Sequence, residues 1–157
     1  MRQGIASRIT VVAVYALAMG YLEAVVVYYI RYALGDVHAT ASLASSVALR
    51  FPWGIEMTRE VATLVMLATV AYLAGRDWRE RTAALLWAFA IWDGTYYLGL
   101  EILARWPSSI VTQDVYFLLP VPWGGPVWVP LLADAIIAIL AGWLVIGRRR
   151  LAGGAAQ

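Results

Sequence analysis

The chain carries ten acidic side chains although 62% of it is hydrophobic, and where those acids stand is its first chemical clue. Asp77 and Glu80 share a short arginine-rich turn, while Glu23, Asp36, Glu56, Glu60, Asp93, Glu101, Asp114 and Asp134 lie within or beside long apolar runs. Spacing organises several of them by helix face. Glu56, Arg59, Glu60 and Thr63 fall at i, i+3, i+4 and i+7, and Asp93, Tyr97, Glu101 and Arg105 recur every four residues, so each set makes one polar stripe on an otherwise apolar helix. Glu23 and Asp134 each stand on a further apolar segment. A charge in the middle of a bilayer costs roughly 2.5–3.5 kcal/mol on insertion scales, so these acids are expected to face one another and not lipid.

Glu23, Glu60, Asp93, Glu101 and Asp134 are therefore the expected ligands of a carboxylate site, with Arg59, Tyr97, Glu56, Arg31 and Asp114 supporting it. Arg59, Arg31 and Arg105 do not balance that many acids, so protons or a bound cation must make up the difference. Carboxylate, hydroxyl and carbonyl oxygens are hard ligands that suit Mg²⁺, Ca²⁺, Mn²⁺ or Na⁺. Neither Glu23 nor Asp93 has an arginine nearby in sequence, which favours a site role for both. Asp134 follows Pro130 by one turn, where bonding to amides near a helix start is an equal expectation.

Composition removes other chemistries. The absence of cysteine excludes disulfides, iron–sulfur clusters and thiolate zinc sites. His38 is the single histidine, so a bis-histidine haem is excluded, and the paired Glu-x-x-His signature of a di-iron bundle is missing. Every basic residue is arginine, which leaves no lysine for a Schiff base. A net charge of +2 gathered mostly at one end of the helices gives no footprint for a nucleic acid.

A mean hydropathy of +0.72 over 157 residues is too apolar for a water-soluble core of this size. The expected fold is all-α: one integral membrane domain over residues 1–157, built as a four-transmembrane-helix bundle. Its spans are expected at about residues 9–30, 57–75, 82–105 and 127–147, each near the 20 or so residues a hydrocarbon core requires. Ala16 and Ala18 mimic a signal-peptide cleavage site, but the apolar run continues past them, so the first segment is read as a retained helix. Arg2, Arg8, Arg76, Arg79, Arg81 and Arg148–Arg150 fall on one side of such a bundle, which places both termini in the cytoplasm of a cell (plasma or inner) membrane.

The connections 31–56 and 106–126 then lie outside the cytoplasm. A short interfacial helix is expected at residues 41–49. Pro120, Pro122, Pro126 and Pro130 exclude regular helix and central strand from the second connection, which is expected to cap the bundle at headgroup depth. Phe51, Trp53, Trp106, Tyr116, Phe117, Trp123 and Trp128 would form its aromatic belt. Small residues at Ala16, Gly20 and Ala24, at Ala90 and Gly94, and at Ala138, Ala141 and Gly142 have the spacing that lets helices approach closely.

Three functions fit this reading. The first is a cation- or proton-handling, transport-related membrane protein built on the carboxylate pocket. The second is a membrane enzyme that works on a lipid or other apolar substrate by carboxylate acid–base chemistry with Tyr97 assisting. The third is a structural subunit of a larger membrane complex, its charges serving as packing devices. Membrane lipids are the expected surroundings in each case, with a second copy or a complex partner as the expected protein contact.

Overall fold

The computed structural model describes residues 5–35 and 53–154. Asp36, His38, Phe51 and the helix expected at 41–49 lie outside the described residues. Four helices form: α1 (Ile5–Ala33), α2 (Trp53–Ala74), α3 (Trp78–Ala104) and α4 (Trp128–Gly154). Ser7–Ala33, Trp53–Ala74 and Trp128–Val145 are long and apolar enough to cross a membrane. The segment from 82 to 105, also expected as a span, is not among them; its middle mixes Asp93 with Trp87, Trp92, Thr95, Tyr96 and Tyr97.

The position of α3 explains its polarity. It packs against α1, α2 and α4, whereas α2 and α4 barely touch each other, so α3 is a hub and not one corner of a four-cornered bundle. No residue from Glu80 to Tyr97 is exposed. A helix enclosed by protein needs no lipid-facing surface, and its polar groups can be met by neighbours.

The α1–α3 contact rests on missing side chains. A Cβ on Gly20 would lie 2.4 Å from the Trp92 carbonyl oxygen, and one on Gly99 would lie 2.6 Å from the Ala24 Cβ. Ala16 and Ala24 are fully buried in the same seam, as the small-residue spacing on α1 predicts. The matching expectation for α3 is corrected: a Cβ on Gly94 would meet nothing, and Ala88, Trp92 and Gly99 supply the buried positions instead. Likewise Gly142 faces open space, while Ala141 is the buried small residue on α4.

At the other end of the bundle, the turn between α2 and α3 is only Gly75–Asp77. Asp77 caps α3 by accepting the Glu80 amide at 2.9 Å, and Glu80 in turn accepts the Arg76 amide at 2.9 Å. Arg8 of α1 reaches across to Glu80 at 3.0 Å and to the Ala74 carbonyl, so all three helices are tied at this end.

The proline-rich connection departs most from expectation. It is not a cap at the helix ends but an antiparallel hairpin, β1 (Gln113–Phe117) with β2 (Trp123–Pro126), and among the described residues this pair of strands is the one departure from an all-helical fold. Pro126 sits at the end of a two-stranded ribbon, where a missing amide is tolerated. The ladder register breaks between Val115 and Phe117, and such irregularities re-aim side chains. Phe117 stacks on Phe89 at 6.2 Å and lies 6.4 Å from Trp92 between ring centroids. At about 1.5 Å per residue, Phe89 is some 22 Å below the end of α3, close to its midpoint. The hairpin thus runs back along α3 to the middle of the helix. Phe117 and Trp106 belong to the packed interior, and neither joins an aromatic belt.

Candidate functional site

The acids group around α3 in three arrangements. In the first, Glu23 of α1 pairs with Arg59 of α2, and also accepts from the Trp92 indole at 2.8 Å and the Thr63 hydroxyl at 3.3 Å. Arg59 holds Glu56 at 2.8 Å with its Nε, one turn away on the same helix. Glu23 is thus a satisfied ion-pair member. Its partner lies 36 residues away and was invisible to local spacing. Only the packing of α2 beside α1 brings the two together.

The second arrangement joins the hairpin to the helices. Glu60, although next to Arg59 in sequence, turns to the hairpin and accepts the Leu118 amide at 2.8 Å, leaving its Oε1 buried without a donor. The Tyr97 hydroxyl donates to Asp114 Oδ2 at 2.8 Å, and the Tyr97 ring stacks on Trp106 at 6.3 Å. Arg31 lies over the Trp106 ring, its guanidinium 4.1 Å from the centroid.

Asp114 is buried, and burial pushes its carboxyl up to about 6 from an ordinary 3.8, against the Tyr97 hydroxyl, Arg31 and a backbone bond at Val115, which pull it down. The folded chain therefore holds this proton more tightly than the unfolded chain does. Its contribution to stability is full below about pH 4 and is lost as pH rises through about 6. A thermal unfolding midpoint followed from pH 4 to pH 7 should fall over that window, and Asp114→Asn should flatten the decline.

The third arrangement has no ion pair among the described residues. Asp93 of α3 and Asp134 of α4 lie within hydrogen-bonding reach of each other. Asp134 is buried, and neither of its oxygens meets a donor, so it does not serve to bond amides at the helix start. The principal charges acting on Asp93 are Asp134, Asp114 and Glu23, all of them acidic.

Of the five acids expected as a cation site, the structure brings Asp93 and Asp134 together, gives Glu23 to Arg59 and turns Glu60 to the hairpin. Glu101 is excluded from the cluster: it is exposed near the end of α3, as is Arg105, which closes that helix with φ at 50°. A period of four residues drifts around a 3.6-residue helix, so a stripe that starts inside at Asp93 ends outside at Glu101. Among the described residues, no three acidic or histidine side chains converge closely enough to hold a metal ion. Sequence reasoning missed Trp92 as the donor that seats Glu23 and Leu118 as the amide that Glu60 binds. Nothing in their spacing marked either one. Comparisons with models of protein families, with curated proteins and with solved structures find no match to this chain.

Proposed function

We propose that this is a proton-handling membrane protein in which all four helices span the bilayer and Asp93 and Asp134 together bind a proton. The observation that carries this reading is the facing pair of carboxyls, neither of which has an ion pair among the described residues. Two carboxylates at that separation in a low-dielectric interior repel too strongly for both to be ionised, so a proton or a cation must lie between them. A hard metal ion takes six or more oxygen ligands when it is calcium or magnesium, and two carboxyls from two helices offer a poor start on such a shell. A proton needs only the pair. The Glu23–Arg59–Glu56 group, in which one guanidinium serves two carboxylates, is then the fixed part of the interior, and Asp93–Asp134 the part that can change its charge.

The enclosure of Asp93 on the hub helix supports this reading, because intramembrane acids that face the bundle interior are the usual elements of proton relays. With both termini in the cytoplasm, the hairpin would open towards the opposite face, and a transport-related role would take protons from there.

Infrared difference spectroscopy of the protein in lipid bilayers tests the proposal. A protonated carboxyl band that responds to deuterium exchange is expected in the parent chain at neutral pH, is expected to shift in Asp93→Asn and in Asp134→Asn, and is expected to vanish when both are replaced. If the band is absent and native mass spectrometry finds a metal ion on the parent chain but not on those variants, the occupant is a cation and the proton reading fails.

A further inference from the structure

The hairpin stands over this pair in a way that helix periodicity makes explicit. Asp93 stands four residues from Phe89 and four from Tyr97, so it is the surface neighbour of both along α3. Phe89 stacks on Phe117 at the far end of β1, and Tyr97 bonds Asp114 near its start. Asp93 lies between those two contacts. The Leu118 amide that follows β1 reaches Glu60, so the hairpin touches α2 as well as α3.

The attachments of the hairpin are few and specific. It meets the helices through side chains, with little close backbone approach. Besides the Phe117 wedge and the Tyr97–Asp114 bond, its polar tie is the Leu118 amide on Glu60, a carboxylate that keeps its second oxygen buried and without a donor. A half-satisfied buried carboxylate holds less firmly than a fully bonded one. Val121 and Trp123, by contrast, present exposed outer surfaces. Pro120 and Pro122 carry no amide hydrogen, so the tip has few donors to leave unpaired as it moves through apolar surroundings.

We infer that the 113–126 hairpin is a lid over Asp93 and Asp134, latched by Glu60 on the Leu118 amide and wedged by Phe117 on Phe89, whose release gives water access to the pair from the hairpin side. The inference rests on the proton-binding reading for its purpose, though the movement itself can be measured without it. Irregular backbone at membrane depth is tolerated where it is buried in protein or lines a wet cavity. A lid alternates between those two conditions.

The parent chain has no cysteine, so a thiol at Asp93→Cys reports access directly. In proteoliposomes, its reaction with a charged, impermeant thiosulfonate added from the hairpin side should be slow but measurable. Adding Glu60→Leu should accelerate it by about tenfold or more, the effect of removing one charge-assisted hydrogen bond from the closed state. Phe117→Ala should accelerate it as well, while Glu60→Gln, which keeps an acceptor for the Leu118 amide, should stay near the parent rate. Ala16→Cys, fully buried between α1 and α3, serves as the folding control and should remain unreactive throughout.

Equal rates with and without Glu60→Leu, or no reaction in any variant, would overturn the lid. Acceleration at Ala16→Cys in step with Asp93→Cys would also overturn it, because the opening would then be general loosening. The infrared result is separate: a lid that opens over a pair without a proton would leave the lid standing and remove the proton.

Discussion

Arg59→Met is expected to destabilise the protein by up to about 3 kcal/mol, the lower end of the cost of removing one partner from a buried ion pair, because the Arg59 side chain is itself 26% exposed. Arg59 stands between two acids, Glu23 on α1 and Glu56 on its own helix, and their side chains are 11% and 4% exposed. Without the guanidinium, both would be left with a negative charge that the interior cannot solvate. Glu23 would keep the Trp92 indole and the Thr63 hydroxyl, which soften the loss but do not neutralise it. The expected result is a large drop in the unfolding midpoint in detergent. Neutralising the acids as well, in Arg59→Met with Glu23→Gln and Glu56→Gln, should recover much of it, since replacing a whole buried ionic group by neutral partners is often close to neutral. An Arg59→Met variant as stable as the parent would show that this network does not hold α1 to α2.

Gly20→Leu should be comparably damaging for a different reason. Even the first carbon of the new side chain would lie 2.4 Å from the Trp92 carbonyl oxygen and 2.9 Å from the Thr95 Cβ, and the nearer obstacle is backbone, which cannot rotate away. Overpacking of a well-packed interior costs typically about 1–3 kcal/mol, and a leucine adds three more carbons beyond the one that already collides. Separating α1 from α3 would also pull Glu23 from the Trp92 indole. The unfolding midpoint of Gly20→Leu, set beside Gly142→Leu, distinguishes the two surfaces. Gly142 has nothing near its missing Cβ, so its variant should unfold like the parent. Equal loss in both would mean that leucine is harmful wherever it is placed and that the α1–α3 seam has no special closeness.

Both predictions depend on pairings that run between segments far apart in the chain, and that marks the limit of what could be read from residue order. Apolar length fixed α1, α2 and α4 within a few residues, because a run of about 20 apolar side chains is a local property that hydrocarbon thickness sets. The charged stretch 76–81 marks the α2–α3 turn in the sequence, although capping by Asp77 starts α3 already at Trp78 and takes Glu80 and Arg81 into the helix. The small residues of α1 announced a close helix contact, since only their own side chains decide how near a neighbour can come. Composition alone excluded thiolate, haem and lysine chemistry.

The tertiary structure decided which acids are balanced. Arg59 is adjacent to Glu60 and yet serves Glu23 and Glu56, because the crossing of α2 with α1 determines which carboxylate its guanidinium can reach. Asp93 and Asp134 stand 41 residues apart, on α3 and α4, and only the packing of those two helices makes them one site. Glu101 shares the four-residue rhythm of Asp93 but ends outside, because the drift of that rhythm around the helix matters only once neighbours cover part of its surface. The prolines correctly denied helix to residues 120–126 but carried no information on depth. That Phe117 reaches the middle of α3 is set by its stacking there on Phe89 and its approach to Trp92. A contact between a strand and a helix that precedes it is a property of how segments are arranged and is written in no single segment.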